Sequence, residues 1–237
     1  MLNNANLFIF HLLNGIAGNP VLDRIVLLLA NYDFIRVMVL GAPIVYVWFS
    51  SRQQTQRVKL VAGILAACLA VVIARLLAHL LPFEIRPMFS PTSGYKPLSQ
   101  ISADGSFEHW SAFPSDSSAF SIAIAISIAS VDRRLGLLIV PAVALLFGAL
   151  RIYCGYHYPL DVAAGWALGA ACWMALHMQV PPLERAFDLL QSNPKFGRIV
   201  PLMYSLGFVF LYELATMFDF TRTLLRSFST LEHIMHF

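Results

Sequence analysis

The chain has 237 residues, of which 58 % are hydrophobic and 12 % charged, with a formal net charge of +3. Soluble domains carry about 25 % charged residues, and half that charge cannot cover a water-soluble globule of this size. Disorder is excluded on the same ground. A charge of +3 spread along the chain leaves no basic stripe for nucleic acid, so a polytopic membrane protein remains.

In residues 1–33, Asn3, Asn4, Asn14, Asn19, Asp23 and Arg24 break the hydrophobic pattern. That predicts an interfacial, amphipathic segment. No basic leader or small-residue cleavage site stands out, so a signal peptide is not expected. A spanning helix needs about 20 apolar residues, within a range of roughly 17–25. Six runs are candidates: Phe34 to Ser50, Leu60 to Phe83, Ser118 to Val131, Leu135 to Leu150, Leu160 to Val180 and Ile199 to Phe218. The expectation is an all-α, six-transmembrane-helix domain over 34–218, with a tail at 219–237. Pro181 to Gly197 reads as an amphipathic linker. Cys68, Cys154 and Cys172 lack metal-ligand spacing, and Cys68 and Cys172 are expected to pack inside spans.

Lys and Arg in short loops set orientation. Arg52, Arg57 and Lys59 follow the first span, Arg133 and Arg134 the third, and Arg185, Lys195 and Arg198 the fifth. All fall on one side, which should be cytoplasmic. Arg222 and Arg226 in the tail run against this pattern. The opposite side receives the loop from Pro82 to Phe113 and the turn from Arg151 to Pro159.

That opposite side carries three polar clusters: Glu84-Ile85-Arg86-Pro87, Phe113-Pro114-Ser115-Asp116-Ser117-Ser118, and Arg151 through His157 to Asp161. Arginine forks suit phosphate oxygens, and a helix opening after Pro114-Ser115 offers backbone N–H groups to an anion. Pro159 suits the first position of a helix, which leaves His157 just outside it and Asp161 in its first turn. Asp161 is then expected to reach one imidazole nitrogen and leave the other free, as in an oriented nucleophile or base.

The pattern Arg151-x5-His157-x3-Asp161, preceded by Arg86-Pro87 and Pro114-Ser115, resembles the type 2 phosphatidic acid phosphatase (PAP2) superfamily. The resemblance covers roughly Leu60 to Val180, with the motifs within 75–161. The Pro-Ser-Asp variant, the Gly-Tyr-His-Tyr-Pro-Leu-Asp turn and the opening Asn-Leu-Phe-x-Phe with Leu22-Asp23 look most like bacterial undecaprenyl-diphosphatases of the bacitracin-resistance type. The resemblance implies that His157 attacks phosphorus and forms a phosphohistidine, with Asp161 holding its tautomer. Arg86, Arg151, Ser115, Asp116 and the backbone N–H groups that follow Ser115 would form the phosphate-binding set. It implies no metal or other cofactor, a lipid phosphate or diphosphate substrate, and an outward-facing site in a bacterial inner membrane.

The chain departs from the family pattern twice. The family's first-motif Lys position holds His79, with Arg75 one turn back, and either could supply the cation. The second motif's closing His, the family's general acid, is Ser117. General acid catalysis is worth about 10²–10⁴-fold. A phosphate leaving group needs less protonation than an alcohol, which favours a polyprenyl diphosphate. His109 and Glu108 are the nearest substitute acids in sequence.

Structural roles compete at several of these positions. Arg86 could snorkel, Ser115 and Ser117 could cap a helix, Arg75 with His79 could form a pair inside the bundle, and His109 could be a solvated loop residue. Glu213 is expected to pair in the bundle or face the outer interface, and Trp48, Trp110 and Tyr158 to act as interfacial anchors. Two other functions remain open on this scaffold: a phosphotransferase, and a catalytically silent lipid-phosphate binder or transporter. Small residues such as Ala163-Ala164-Gly165 with Gly169 permit close packing within a monomer or in a homodimer.

Overall fold

The computed structural model describes residues 4–99, 108–193, 196–216 and 221. Its regular elements are helices, with no strand among the described residues. In chain order they are α1 (Asn4–Asn14), α2 (Pro20–Asn31), α3 (Asp33–Ser50), α4 (Gln54–Leu80), α5 (Asp116–Val131), α6 (Arg133–Tyr153), α7 (Pro159–His177), α8 (Val180–Gln191) and α9 (Phe196–Ala215).

Four of these, α3, α4, α6 and α7, are long and apolar enough to cross a membrane. Phe49, Val72, Leu76, Leu137, Leu138 and Met174 point outward from them. Large apolar side chains exposed in such numbers suit lipid and not water, and the chain is an integral membrane protein. Of the six expected spans, Ser118 to Val131 falls in the shorter α5, and the last falls in α9.

Local sequence explains the helix boundaries. Asn19 caps α2 by accepting the N–H groups of Val21 and Leu22, and Pro20 opens the helix. Asp132 ends α5 and caps α6 through the Leu135 N–H at 3.0 Å. Two spans widen into a π-turn, Val37–Gly41 beside Pro43 and Leu145–Ala149 after Pro141. Proline removes a backbone donor, and a widened turn is one way a helix absorbs that loss.

Helix α5 sits between α4, α6 and α7. Most of its Ala, Ser and Ile residues are buried, as expected for a helix without a polar stripe. Leu60, Ala67, Phe120, Ile124, Ile128, Val143 and Phe147 form the main core. Glycines allow the closest approaches. Gly63 faces the Ser127 side chain, and Gly169 faces the Ala119 carbonyl.

The two N-terminal helices brace the face that carries the polar clusters. The Asn14 amide donates to the carbonyls of Tyr153 (2.9 Å) and Lys96 (3.1 Å) and accepts the Lys96 N–H. Asp23, fully buried, accepts from the Tyr153 hydroxyl at 2.6 Å and from the N–H groups of Ser99 and Gly18. Polar residues expected to break a hydrophobic pattern are therefore clamps on the loop before residue 99. Tyr158, expected at the interface, is buried against Phe10.

At the other end, the Gln54 amide donates to Asp188 and the Thr55 hydroxyl to Glu184, so amphipathic α8 lies at the start of α4. Glu213 is buried and accepts from the N–H and the hydroxyl of Thr221. The three cysteines are unpaired. Lys195, Arg222, Arg226 and the tail from 222 lie outside the described residues.

The packing predicts opposite signs for two helix glycines. Gly169→Ala forces a Cβ into the Ala119 carbonyl and should destabilise the protein by about 1–3 kcal/mol. Gly207 has no atom within 4 Å of an added Cβ, so Gly207→Ala should be neutral or gain up to about 1 kcal/mol of helix propensity. Thermal melting of both variants in detergent checks the contrast, and equal melting points would refute it.

Candidate active site

The three polar clusters meet at one cavity of about 240 Å³. Arg75 and His79 reach it from α4, Arg86 and His109 from the long loop, Asp116 from the start of α5, and His157 from the turn before α7. Ala74, Ala78, Phe83, Trp110, Ser111 and Pro114 complete its wall.

His157 is 2 % exposed. Its Nδ1 lies 2.9 Å from the Ala112 carbonyl oxygen. A carbonyl only accepts, so Nδ1 carries the hydrogen and Nε2 keeps its lone pair. Nε2 is buried and makes no hydrogen bond. Burial first, and then the charges of Arg86 and Arg151, hold the imidazole well below its ordinary pKa. The ring is therefore a neutral, oriented base or nucleophile.

Asp161 does not orient it by a hydrogen bond. Its Oδ2 stands 3.8 Å from His157 Nδ1 and instead accepts the Tyr158 N–H at 2.7 Å. The carboxylate thus closes the first turn of α7, and the expected Asp–His hydrogen bond is replaced by the Ala112 carbonyl. Asp161 also joins two motifs, because its backbone carbonyl accepts the Ser115 N–H at 3.0 Å. The turn before it needs Gly155, whose φ of 74° is left-handed.

Arg86 is buried. Its Nε donates to the Trp110 carbonyl at 3.2 Å and its Nη1 to the Tyr156 carbonyl at 3.1 Å. Burial, and then the neighbouring Arg151 charge, lower its pKa to about 10, which leaves it protonated at neutral pH. Arg151 is half-buried over the Tyr156 ring, 5.3 Å from its centre, and its Nε is buried without a hydrogen-bond partner. It is not part of the cavity wall.

The start of α5 departs from an open anion site. Ser115 is fully buried off the cavity wall, with its hydroxyl 2.9 Å from that of Ser118 and 3.4 Å from that of Ser117. Asp161 uses the Ser115 N–H, and the Asp116 carboxylate takes the Ser117 N–H at 2.6 Å. An aspartate there satisfies the positive helix end itself. Asp116 also pairs with Arg75. Ser117 is buried and off the wall, whereas His79 and His109 are exposed and on it.

Backbone partners were the part that sequence reasoning missed. Nothing in a side chain marks the carbonyls of Ala112, Trp110 and Tyr156. Trp110 had only an aromatic signal, and its ring covers Arg75 at 4.3 Å. Among the described residues, no group of three or more His, Cys, Asp or Glu side chains is arranged to hold a metal ion.

The family model described as PAP2 superfamily matches residues 83–185. The chain is 31 % identical over 158 residues to undecaprenyl-diphosphatase BcrC of Bacillus subtilis, covering 66 % of this chain and 75 % of that protein. It is 26 % identical over 204 residues to the bacitracin transport permease protein BcrC of Bacillus licheniformis, covering 84 % and 93 %. Among solved structures, Aquifex aeolicus LpxE shares the fold with a TM-score of 0.54 at 22 % identity, over 73 % of this chain and 95 % of that one. A relative 31 % identical over three quarters of its own length, joined to motifs that converge on one cavity, shows that this chain belongs to the PAP2 superfamily.

Proposed function

We propose that this protein hydrolyses a polyprenyl diphosphate, of which undecaprenyl diphosphate is the leading candidate, through a phosphohistidine at His157. The observation that carries the proposal is the partnerless Nε2 of a buried His157 on a cavity wall shared with Arg86. A desolvated imidazole whose Nδ1–H is committed elsewhere can use that lone pair on phosphorus. The substrate class is supported by the name of the Bacillus subtilis relative, an undecaprenyl-diphosphatase.

In the first step Nε2 bonds to the terminal phosphorus, and the bond to the bridging oxygen breaks with its electron pair on the departing lipid phosphate. The ring becomes cationic. Ala112 keeps the Nδ1–H, and the Asp161 carboxylate, 3.8 Å away, opposes the new charge. Arg86 is placed for the equatorial oxygens, and Arg151 adds positive potential. In the second step water attacks the phosphohistidine, orthophosphate leaves, and the electron pair returns to Nε2. Ser115 contributes by packing the second motif. This chemistry needs no metal or cofactor from the chain.

In this reading, 34–218 is a six-helix membrane domain with 1–33 at the outer interface and the tail beyond 218. The basic loops face the cytoplasm and the cavity faces outward from a bacterial inner membrane. Partners are lipids, with no nucleic acid, and the small-residue faces permit a homodimer. Ser117 favours a second reading, a silent lipid-phosphate binder or transporter, which phosphate release by the wild type would end.

Two experiments test the mechanism. His157→Ala should lower phosphate release from a polyprenyl diphosphate by about 10⁴-fold or more, and radiolabelled terminal phosphate should be trapped on the wild type alone. Retained turnover in the variant rejects the phosphohistidine. The pH profile is the second. Because the His157 pKa is lowered, the nucleophile stays unprotonated as pH falls through the ordinary imidazole value of about 6.5. The nucleophile's limb of kcat/KM should therefore stay flat there and fall only at more acidic pH. A limb centred at 6.5 or above would contradict a buried, cation-flanked imidazole.

A further inference from the structure

Arg75 has no part in the steps above, yet it is a braced cation on the cavity wall. Its guanidinium pairs with Asp116 and lies over the Trp110 ring at 4.3 Å. Charged side chains inside a membrane bundle face its interior or a water-filled cavity and mark functional sites. The pair with Asp116 leaves the Arg75 side chain 32 % exposed, on the wall of the cavity that holds His157. The charge of Arg75 also acts on both His157 and Arg86, so the three groups share one electrostatic site. Arg75 projects from the last two turns of α4, on the membrane side of Arg86 in the chain. The volume of 240 Å³ is just below the ~300–1,000 Å³ that encloses drug-sized ligands, so the cavity suits a headgroup and leaves a lipid chain outside.

We propose that Arg75, braced by Asp116 and Trp110, binds the inner phosphate of a lipid diphosphate and stabilises it as the leaving group. The inference rests on the phosphatase reading above and sharpens its substrate class. When the terminal P–O bond breaks, the electron pair stays on the bridging oxygen, and the inner phosphate gains a negative charge. A guanidinium beside that oxygen offsets the charge without transferring a proton. An alkoxide leaving group needs the proton itself. The cavity therefore selects diphosphates over monophosphate esters, and it does so with Ser117 buried and off the wall.

The test uses the full chain in nanodiscs, with a polyprenyl diphosphate and the matching monophosphate. Arg75→Ala should lower the diphosphate-to-monophosphate ratio of kcat/KM by about 10–100-fold, the range of one charge-assisted hydrogen bond. Arg75→Lys keeps the charge without the planar fork and should fall in between. It also carries the test if the alanine variant does not fold. An unchanged ratio in folded variants, with or without a general loss of rate, overturns the proposal. Binding separates this inference from the reading beneath it. Inorganic pyrophosphate should raise the wild-type melting temperature more than orthophosphate does, and Arg75→Ala should erase the difference. Erasure in a protein that hydrolyses neither lipid supports the subsite and rejects the hydrolase. No preference for pyrophosphate in the wild type rejects the subsite.

Discussion

A carbonyl oxygen can only accept a hydrogen bond, and at Ala112 that constraint sets the chemistry of the site. The bond from His157 Nδ1 leaves Nε2 as the ring's one basic atom and points the lone pair away from the loop that holds it. Ala112 is itself fixed, because its N–H donates to the Glu84 carbonyl at 2.9 Å and the Glu84 N–H donates to the Ser111 hydroxyl. Two residues along, Arg86 Nε donates to the Trp110 carbonyl. Residues 84–86 and 110–112 therefore run as a short mutual ladder, and that ladder sets the positions of the His157 ring and of the Arg86 guanidinium together. Neither can shift without the other.

Charge within the site follows from burial. Taking Arg86 out of water beside Arg151 raises the energy of its charged form, which is why its pKa falls to about 10. The same cations discourage a proton on His157. In the proposed reading a bound phosphate would neutralise these two arginines and be held by them in return. The acidic residues are placed to moderate this field without cancelling it. Asp161 spends its oxygen on a helix cap one turn away, and Asp116 on Arg75 and the Ser117 N–H.

Hydropathy made the helical architecture legible, because long apolar runs have few alternatives in a membrane. It also placed the three polar clusters on one face, since the loop lengths between apolar runs force that alternation. The N-terminal helices were harder. Asn14 and Asp23 look like interruptions when read beside their neighbours, and their partners Tyr153 and Lys96 are distant in the chain. Local periodicity carries no information about such pairs. The hydrogen-bond partner of Asp161 is hidden from the sequence for a related reason. Spacing shows that a carboxylate one turn from His157 lies near it, but not that the Tyr158 N–H competes for the same oxygen and wins at 2.7 Å.

The two departures from the family pattern become one change once Arg75 is seen in place. Losing the histidine at position 117 removes a proton donor, and that loss is severe only when the leaving oxygen must be protonated. Where the family pattern has a lysine this chain has His79, and one turn back Arg75 is held at the cavity wall by Asp116 and Trp110. A serine at 117 is small enough to bury against Ser115, which packs the start of α5 tightly under Asp116. Asp116 is thereby aimed at Arg75 and not at solvent. In the proposed mechanism electrostatic stabilisation of the leaving group takes the place of proton transfer, and only a leaving group that is already an acid accepts that exchange.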